Sequence, residues 1–259
     1  MMPGSALVLS FEAVSAIGSG LVALKLFLTG LHRRYRILFA YLICRVPYIG
    51  CSLFLDVNSS FYQKFFIVTE ILFWPLYVLL VLELYGLVLE QYKGVYTLGR
   101  WAMYLATVVS VTISVLSLLP RITPAMPQQS RIIGYVYATE RGIDFSLALF
   151  ILLILFLLSR FPVPLSRNVA VHAVVYSIFF LSNTLGLLLH SVFGLQLENE
   201  VNMFLMGTSS ACVVAWFFLL NTKGEEVRVS TLRFGRADQE RILLQLNALN
   251  DTLLKTAHK

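Results

Sequence analysis

Six ionisable side chains stand inside apolar stretches of this chain and are the residues best placed to do chemistry: Glu12, Arg45, Glu70, Glu140, Arg141 and Asp144. Two further polar residues, Asn183 and His190, share that setting. A charge at the centre of a hydrocarbon layer costs about 2.5–3.5 kcal/mol on insertion scales, so such residues face a bundle interior and mark candidate ion, proton or ligand sites. The run Thr139-Glu140-Arg141-Gly142-Ile143-Asp144 is the densest. Glu140 and Asp144, at i and i+4, share one face of a helix, and Arg141, three residues before Asp144, is placed to pair with it. Arg45 lies near the midpoint of its segment, just before Pro47, and predicts an acidic partner. Acids outnumber bases in this set by four to two. That excess suits a cationic or amine-bearing ligand, or a proton. The same residues read equally as ion pairs and hydrogen bonds that join helices.

The elements that position them are membrane helices. The chain has 259 residues, of which 58% are hydrophobic and 13% charged, with mean hydropathy +0.78. A soluble domain is about 25% charged, so the apolar surface here must face lipid. A helix crosses the hydrocarbon layer in about 20 mostly apolar residues, and helices satisfy their own backbone there. Apolar segments at 5–29, 36–55, 62–89, 99–119, 133–158, 169–192 and 200–221 predict seven such helices. The interruptions are charged or turn-forming: His32-Arg33-Arg34, Asp56 to Ser60, Lys93-Gly94, Pro120 to Gln129, and Phe161 to Pro164. Trp74-Pro75 predicts a kink in the third helix. No Lys or Arg precedes the first apolar stretch, which predicts a retained helix rather than a cleaved signal peptide.

Lys and Arg near helix ends set orientation. Twelve of them, from Arg33 through Lys93, Arg100, Arg160 and Arg167 to the tail residues Lys223–Arg241, fall on one side. Lys64, Arg121 and Arg131 fall on the other. The bias predicts an all-α polytopic bundle with the N-terminus outside and the C-terminus inside. On that axis the candidate residues sit at the midplane or in the outer half. They form an outward-facing polar pocket between the first, second, third, fifth and sixth helices. Lys25 is near an inner end and can reach the interface.

Several chemistries are disfavoured. Zinc catalysis needs about three convergent protein ligands. His172 and His190 are roughly 27 Å apart along one helix, and His32 and His258 lie outside the apolar segments. There is no H-E-x-x-H, G-x-S-x-G or P-loop pattern. The serines from Ser110 to Ser117 read as helix-packing surface. Cys44, Cys51 and Cys212 make no metal or disulfide framework. The formal charge of +6 is carried by loops and tail, where anionic lipid accounts for it better than nucleic acid does. Neither catalysis nor a cofactor is expected.

Residues 1–221 form the bundle, and residues 222–259 a basic linker and a cytoplasmic tail helix. In 238–257, Ile242, Leu246, Leu249 and Leu253 repeat at 4, 3 and 4, the rhythm of a short dimerising or docking helix. An amphipathic helix lying on the inner leaflet is the competing reading. With Thr139–Asp144 and Gln239–Leu254 in this layout, the chain resembles bacterial seven-helix integral membrane proteins. It is also similar to the membrane input modules that precede bacterial signalling domains. The resemblance implies a bacterial inner membrane. It also implies a receptor-like or scaffolding role, with a homodimer or a cytoplasmic partner engaged through 238–257. A small secondary transporter or proton-coupled carrier is the alternative, and would need polar residues continuing past Glu83 and His172. The orientation is testable: an export-dependent reporter inserted after Asn58 or Pro127 should be active, and one after Gly94 or at the C-terminus silent. Activity at the C-terminus would reverse the assignment.

Overall fold

Helices dominate because residue after residue is apolar and unbroken by turn formers, leaving the backbone to bond with itself. The computed structural model describes residues 6–55, 59–90, 93–118, 128–160, 165–193, 198–226, 228–229, 244 and 248. Its seven long helices are α1 (Ala6–Leu28), α2 (Arg36–Phe54), α3 (Ser60–Val88), α4 (Lys93–Leu118), α5 (Gln128–Arg160), α6 (Arg167–Phe193) and α7 (Glu198–Leu219). A 3-10 turn, Leu31–Arg33, links α1 to α2 after Gly30, whose φ of 72° suits glycine. Ser59 opens α3 by accepting a hydrogen bond from the Tyr62 amide at 3.0 Å. A one-turn helix, α8 (Lys223–Glu226), follows α7, and two short strands, β1 (Leu165–Ser166) and β2 (Arg228–Val229), pair antiparallel.

Helix ends depart from the sequence expectation. α4 starts at Lys93 rather than 99, and α5 runs from Gln128 to Arg160 rather than 133 to 158. Hydropathy marks where hydrocarbon begins, whereas backbone hydrogen bonding continues into polar turns. α3 continues through Pro75 and α2 through Pro47, each as one helix. The tail residues Ile242, Leu246, Leu249 and Leu253 lie outside the described residues.

Among the described residues, five helical stretches are long and apolar enough to cross a membrane: Leu7–Leu28, Lys64–Val88, Gly94–Leu116, Arg167–Gly186 and Asn199–Leu219. They mark the chain as a multi-pass membrane protein. α2 and α5 are not among them. α2 is the shortest of the seven, with 19 residues that include Arg36 and Arg45, and α5 carries Glu140, Arg141 and Asp144 together. Ile17, Val68, Leu105, Phe156 and Phe218 are exposed on the bundle's outside, a surface that fits lipid and not water.

α1 packs on α2 and α7, α6 on α7 and α5, and α3 on α2, α5 and α6. α4 leans on α5 from outside. The two backbones meet at Gly142, where a Cβ would come within 2.7 Å of the Val111 Cα. Thr107 and Ser146 hydroxyls join them at 3.1 Å. The interior between α2, α3, α5 and α6 is filled by Leu38, Leu42, Leu80, Leu84, Leu147 and Ile151.

One end of the bundle, called here the tail end, is tied by a polar knot. The Glu225 carboxylate accepts from the Tyr35 hydroxyl and from Asn168 Nδ2 (2.6 Å), and pairs with Arg34 at 3.1 Å. Arg34 also reaches Glu90 at 3.3 Å. Asn168 Nδ2 donates in addition to the Asn221 carbonyl at 2.7 Å, and its Oδ1 accepts from the Asn221 amide at 3.4 Å. Burial, with Glu225 beside it, pushes the Tyr35 phenol's pKa up, so the hydroxyl stays a donor. Glu83 accepts from the Ile37 and Leu38 amides at 2.8 and 3.1 Å, countering the positive end of α2. Lys25 does not simply reach the interface. It donates to the Phe217 carbonyl in the last turn of α7 and lies 5.2 Å from the centre of that ring. Asn168 is fully buried and ties the start of α6 both to Asn221 and to Glu225 of α8. Asn168→Ala should lower stability by about 2–3 kcal/mol, measured as the shift in a detergent unfolding transition. A change under about 0.5 kcal/mol would remove the knot from the account of stability.

Candidate functional site

The interior polar residues form two groups with opposite hydrogen-bonding states. The first surrounds Arg45 on α2. Its guanidinium donates to the hydroxyls of Ser15 on α1 (2.9 Å), of Tyr41 one turn back on its own helix, and of Ser209 on α7. The guanidinium carbon lies 5.6 Å from the centre of the Tyr41 ring. No salt bridge to Arg45 is present among the described residues, so the expected acidic partner is replaced by three hydroxyls. Hydroxyls on three helices supply enough acceptors to hold a guanidinium without a second buried charge. Tyr41 could have been read from the sequence, since it precedes Arg45 by one helical turn. Ser15 and Ser209 could not, because they reach Arg45 from sequence-distant helices.

The second group is acidic and lies between α3 and α5. Glu70 projects from α3, and Glu140 and Asp144 from one face of α5. Glu140 interacts electrostatically with both Glu70 and Asp144, and Asp144 with Glu70. Glu70 is 8% exposed and accepts from the Tyr48 hydroxyl of α2 at 3.5 Å, the outer limit of a hydrogen bond. Asp144 is 1% exposed, and neither of its carboxylate oxygens has a hydrogen-bond partner. A buried carboxyl in that state is costly and rare in folded proteins. The three carboxyls do not converge as a metal-holding set; among the described residues no group of three His, Cys, Asp or Glu does.

The remaining candidates divide. Glu12, half-buried on α1, is within electrostatic reach of Tyr62 at the start of α3, which in turn senses Glu70. It belongs to the same region of the bundle as the acidic group. Arg141 does not hydrogen-bond to Asp144, despite the favourable spacing. It donates to the Ser114 carbonyl of α4 at 3.3 Å, because its direction from α5 faces α4 rather than α3. Asn183 is half-buried on α6, and no hydrogen bond among the described residues ties it to the acidic group. The side chain of His190 lies outside the described residues. The expected five-helix pocket is therefore a narrower region, built by α3 and α5 with contributions from α1 and α2.

Toward the tail end this region is closed. Phe73 and Tyr77 of α3 pack with Tyr41, and Tyr77 packs edge-on against Phe180 with ring centres 5.8 Å apart. Below them, His172 sits among the rings of Tyr35, Tyr176 and Trp216 at 4.5–6.3 Å. Neither His172 nitrogen has a hydrogen-bond partner. Comparison with protein-family models, curated proteins and solved structures finds no match to this chain.

The Arg45 clamp makes a clean test. Ser209→Ala removes one acceptor from a buried cation and should cost about 1–3 kcal/mol. In an Arg45→Leu background the same change should cost nearly nothing. Equal costs in both backgrounds would show that Ser209 acts through packing alone.

Proposed function

We propose that all seven long helices cross the membrane, N-terminus outside and tail inside, and that the protein is a receptor-like or scaffolding membrane protein. The acidic group of Glu70, Glu140 and Asp144 is its receiving site, opening to the outside. The bacterial inner membrane and a docking or dimerising role for residues 238–257 complete this reading.

The observation that carries it is Asp144. Asp144 is a fully buried carboxyl without a hydrogen-bond partner, beside two more carboxyls, and a cation or a captured proton would supply what it lacks. The absence of a metal-holding arrangement among these residues favours an organic cation, or a proton, over a divalent ion.

The closed floor supports reception over transport. A carrier needs a polar route to the tail end, and Glu83 and His172 were the residues to extend it. Glu83 lies roughly 20 Å from Glu70 along α3 and is committed to the first amides of α2. His172 is fully buried among aromatic rings. Between the two levels Leu42, Leu80, Leu147 and Ile151 fill the interior.

Thermal stabilisation of the purified protein by a panel of small amines and cations tests this directly. A ligand at 100 times its Kd stabilises by about 2.7 kcal/mol. At least one cation should shift the wild type, and Asp144→Asn and Glu70→Gln should abolish the shift. The unfolding midpoint of Asp144→Asn itself should stay level or rise, because an unpaired buried carboxyl is removed. Strong destabilisation by Asp144→Asn, or a cation shift that survives it, would assign the acids a purely structural role.

A further inference from the structure

A groove of about 620 Å³ opens on the lipid-facing side of the bundle, walled by α4 and α6 and floored by α5. It exists because α4 is held to α5 at Gly142 and Thr107 and, among the described residues, does not pack along α6. Its two ends differ. Toward the tail end it is apolar, lined by Ala102, Leu149 and Leu153. At the other end stand Arg141, Ser114 and Thr184. The Thr184 hydroxyl is buried and has no hydrogen-bond partner. Arg141 is the charged side chain of the lining.

The dimensions match a lipid tail. Leu153 and Arg141 are twelve residues apart on α5, about 18 Å of helix. Half of a hydrocarbon core about 30 Å thick is about 15 Å. Arg141 bonds to Ser114, which is four residues from the end of α4, so the guanidinium lies near the hydrocarbon boundary, where a headgroup sits. Guanidinium recognises phosphate through paired hydrogen bonds, and a buried hydroxyl adds a further donor.

The geometry points to a seat for one acyl chain of an anionic phospholipid from the surrounding leaflet, with its phosphate at Arg141 and Thr184. A transmembrane helix of a second copy is the competing occupant, since Ala102, Ala106, Ser110 and Ser114 repeat every four residues on α4, a spacing that helices pack on. Charge decides against it. An apolar helix face would bury Arg141 and the unpartnered Thr184 hydroxyl, whereas a phosphate complements both. This inference needs only the membrane setting and does not depend on the acidic group as a receiving site.

Native mass spectrometry of the detergent-solubilised full chain, with phosphatidylglycerol or phosphatidylcholine added at equal concentration, tests it. The wild type should retain one phosphatidylglycerol about tenfold more tightly than phosphatidylcholine, the effect of one charged hydrogen bond. Arg141→Gln should reduce that preference to parity at this site, and Ala106→Trp, which fills the groove from an exposed position, should lower the count of tightly bound phosphatidylglycerol by one. Asp144→Asn should leave the count unchanged, which separates this inference from the proposed receptor function. If Arg141→Gln does not fold, Thr184→Val and Ala106→Trp carry the test. Three results would each overturn the inference: an unchanged lipid count in Ala106→Trp, equal retention of both lipids by the wild type, or a wild-type dimer that Ala106→Trp converts to monomer.

Discussion

Lipid offers no hydrogen bonds, and this constraint governs every polar group between the ends of these helices. Most meet it locally. Ser19, Thr69, Ser177 and Thr208 each return their hydroxyl to a carbonyl one turn back, at 2.6–2.9 Å. Longer side chains meet it across helices. Arg45 finds hydroxyls on α1 and α7 as well as its own helix, and Lys25 finds a carbonyl at the end of α7. These bonds join the first and last long helices to α2, closing the bundle where the chain is farthest apart in sequence. Where side chains are small enough, as at Gly142, backbones approach directly and no polar contact is needed.

Against that background the two ends of the bundle behave differently. At the tail end one carboxylate, Glu225, gathers Tyr35 and Arg34 from just before α2 and Asn168 from the start of α6. Around Glu70, Glu140 and Asp144 the balance is reversed, with more acceptors than donors. A stability-driven fold would place leucine at 144, since replacing buried charged groups with apolar ones is often neutral or stabilising. Asp144 is a buried carboxyl with both oxygens unpartnered, and an aromatic and leucine-rich layer lies between it and the knot. The tail end is not wholly satisfied either, since both nitrogens of His172 lack partners, but its carboxylate is bonded where that of Asp144 is not.

Hydropathy made the helices legible, helped by the breaks at His32-Arg33-Arg34 and at Ser59. The sharing of a face by Glu140 and Asp144 was also legible, because helical spacing is a local property. Partnerships were not. Arg45 called for a carboxylate by charge alone, yet Ser15 and Ser209 answer it, and nothing in a one-dimensional pattern brings residues 15, 45 and 209 together. Arg141 and Asp144 had the right spacing for a pair, but spacing fixes only direction around the helix, and α4 lies on Arg141's side. The peripheral place of α4 was equally hidden: its hydropathy resembles that of helices on the inside of the bundle.

That place gives α5 a double duty. Around its axis Glu140, Asp144 and Arg141 point in directions that advance by about 40° and then about 60°, at 3.6 residues per turn. One helix therefore turns from the acidic group facing α3 to the groove facing α4 within a single turn. The contact that fixes α4 to this turn is backbone on backbone at Gly142, with no flexible side chain to absorb movement. One residue earlier, the same turn presents Arg141 to the Ser114 carbonyl of α4. The acidic group and the groove are thus built on neighbouring faces of one turn of α5, held to α4 at Gly142.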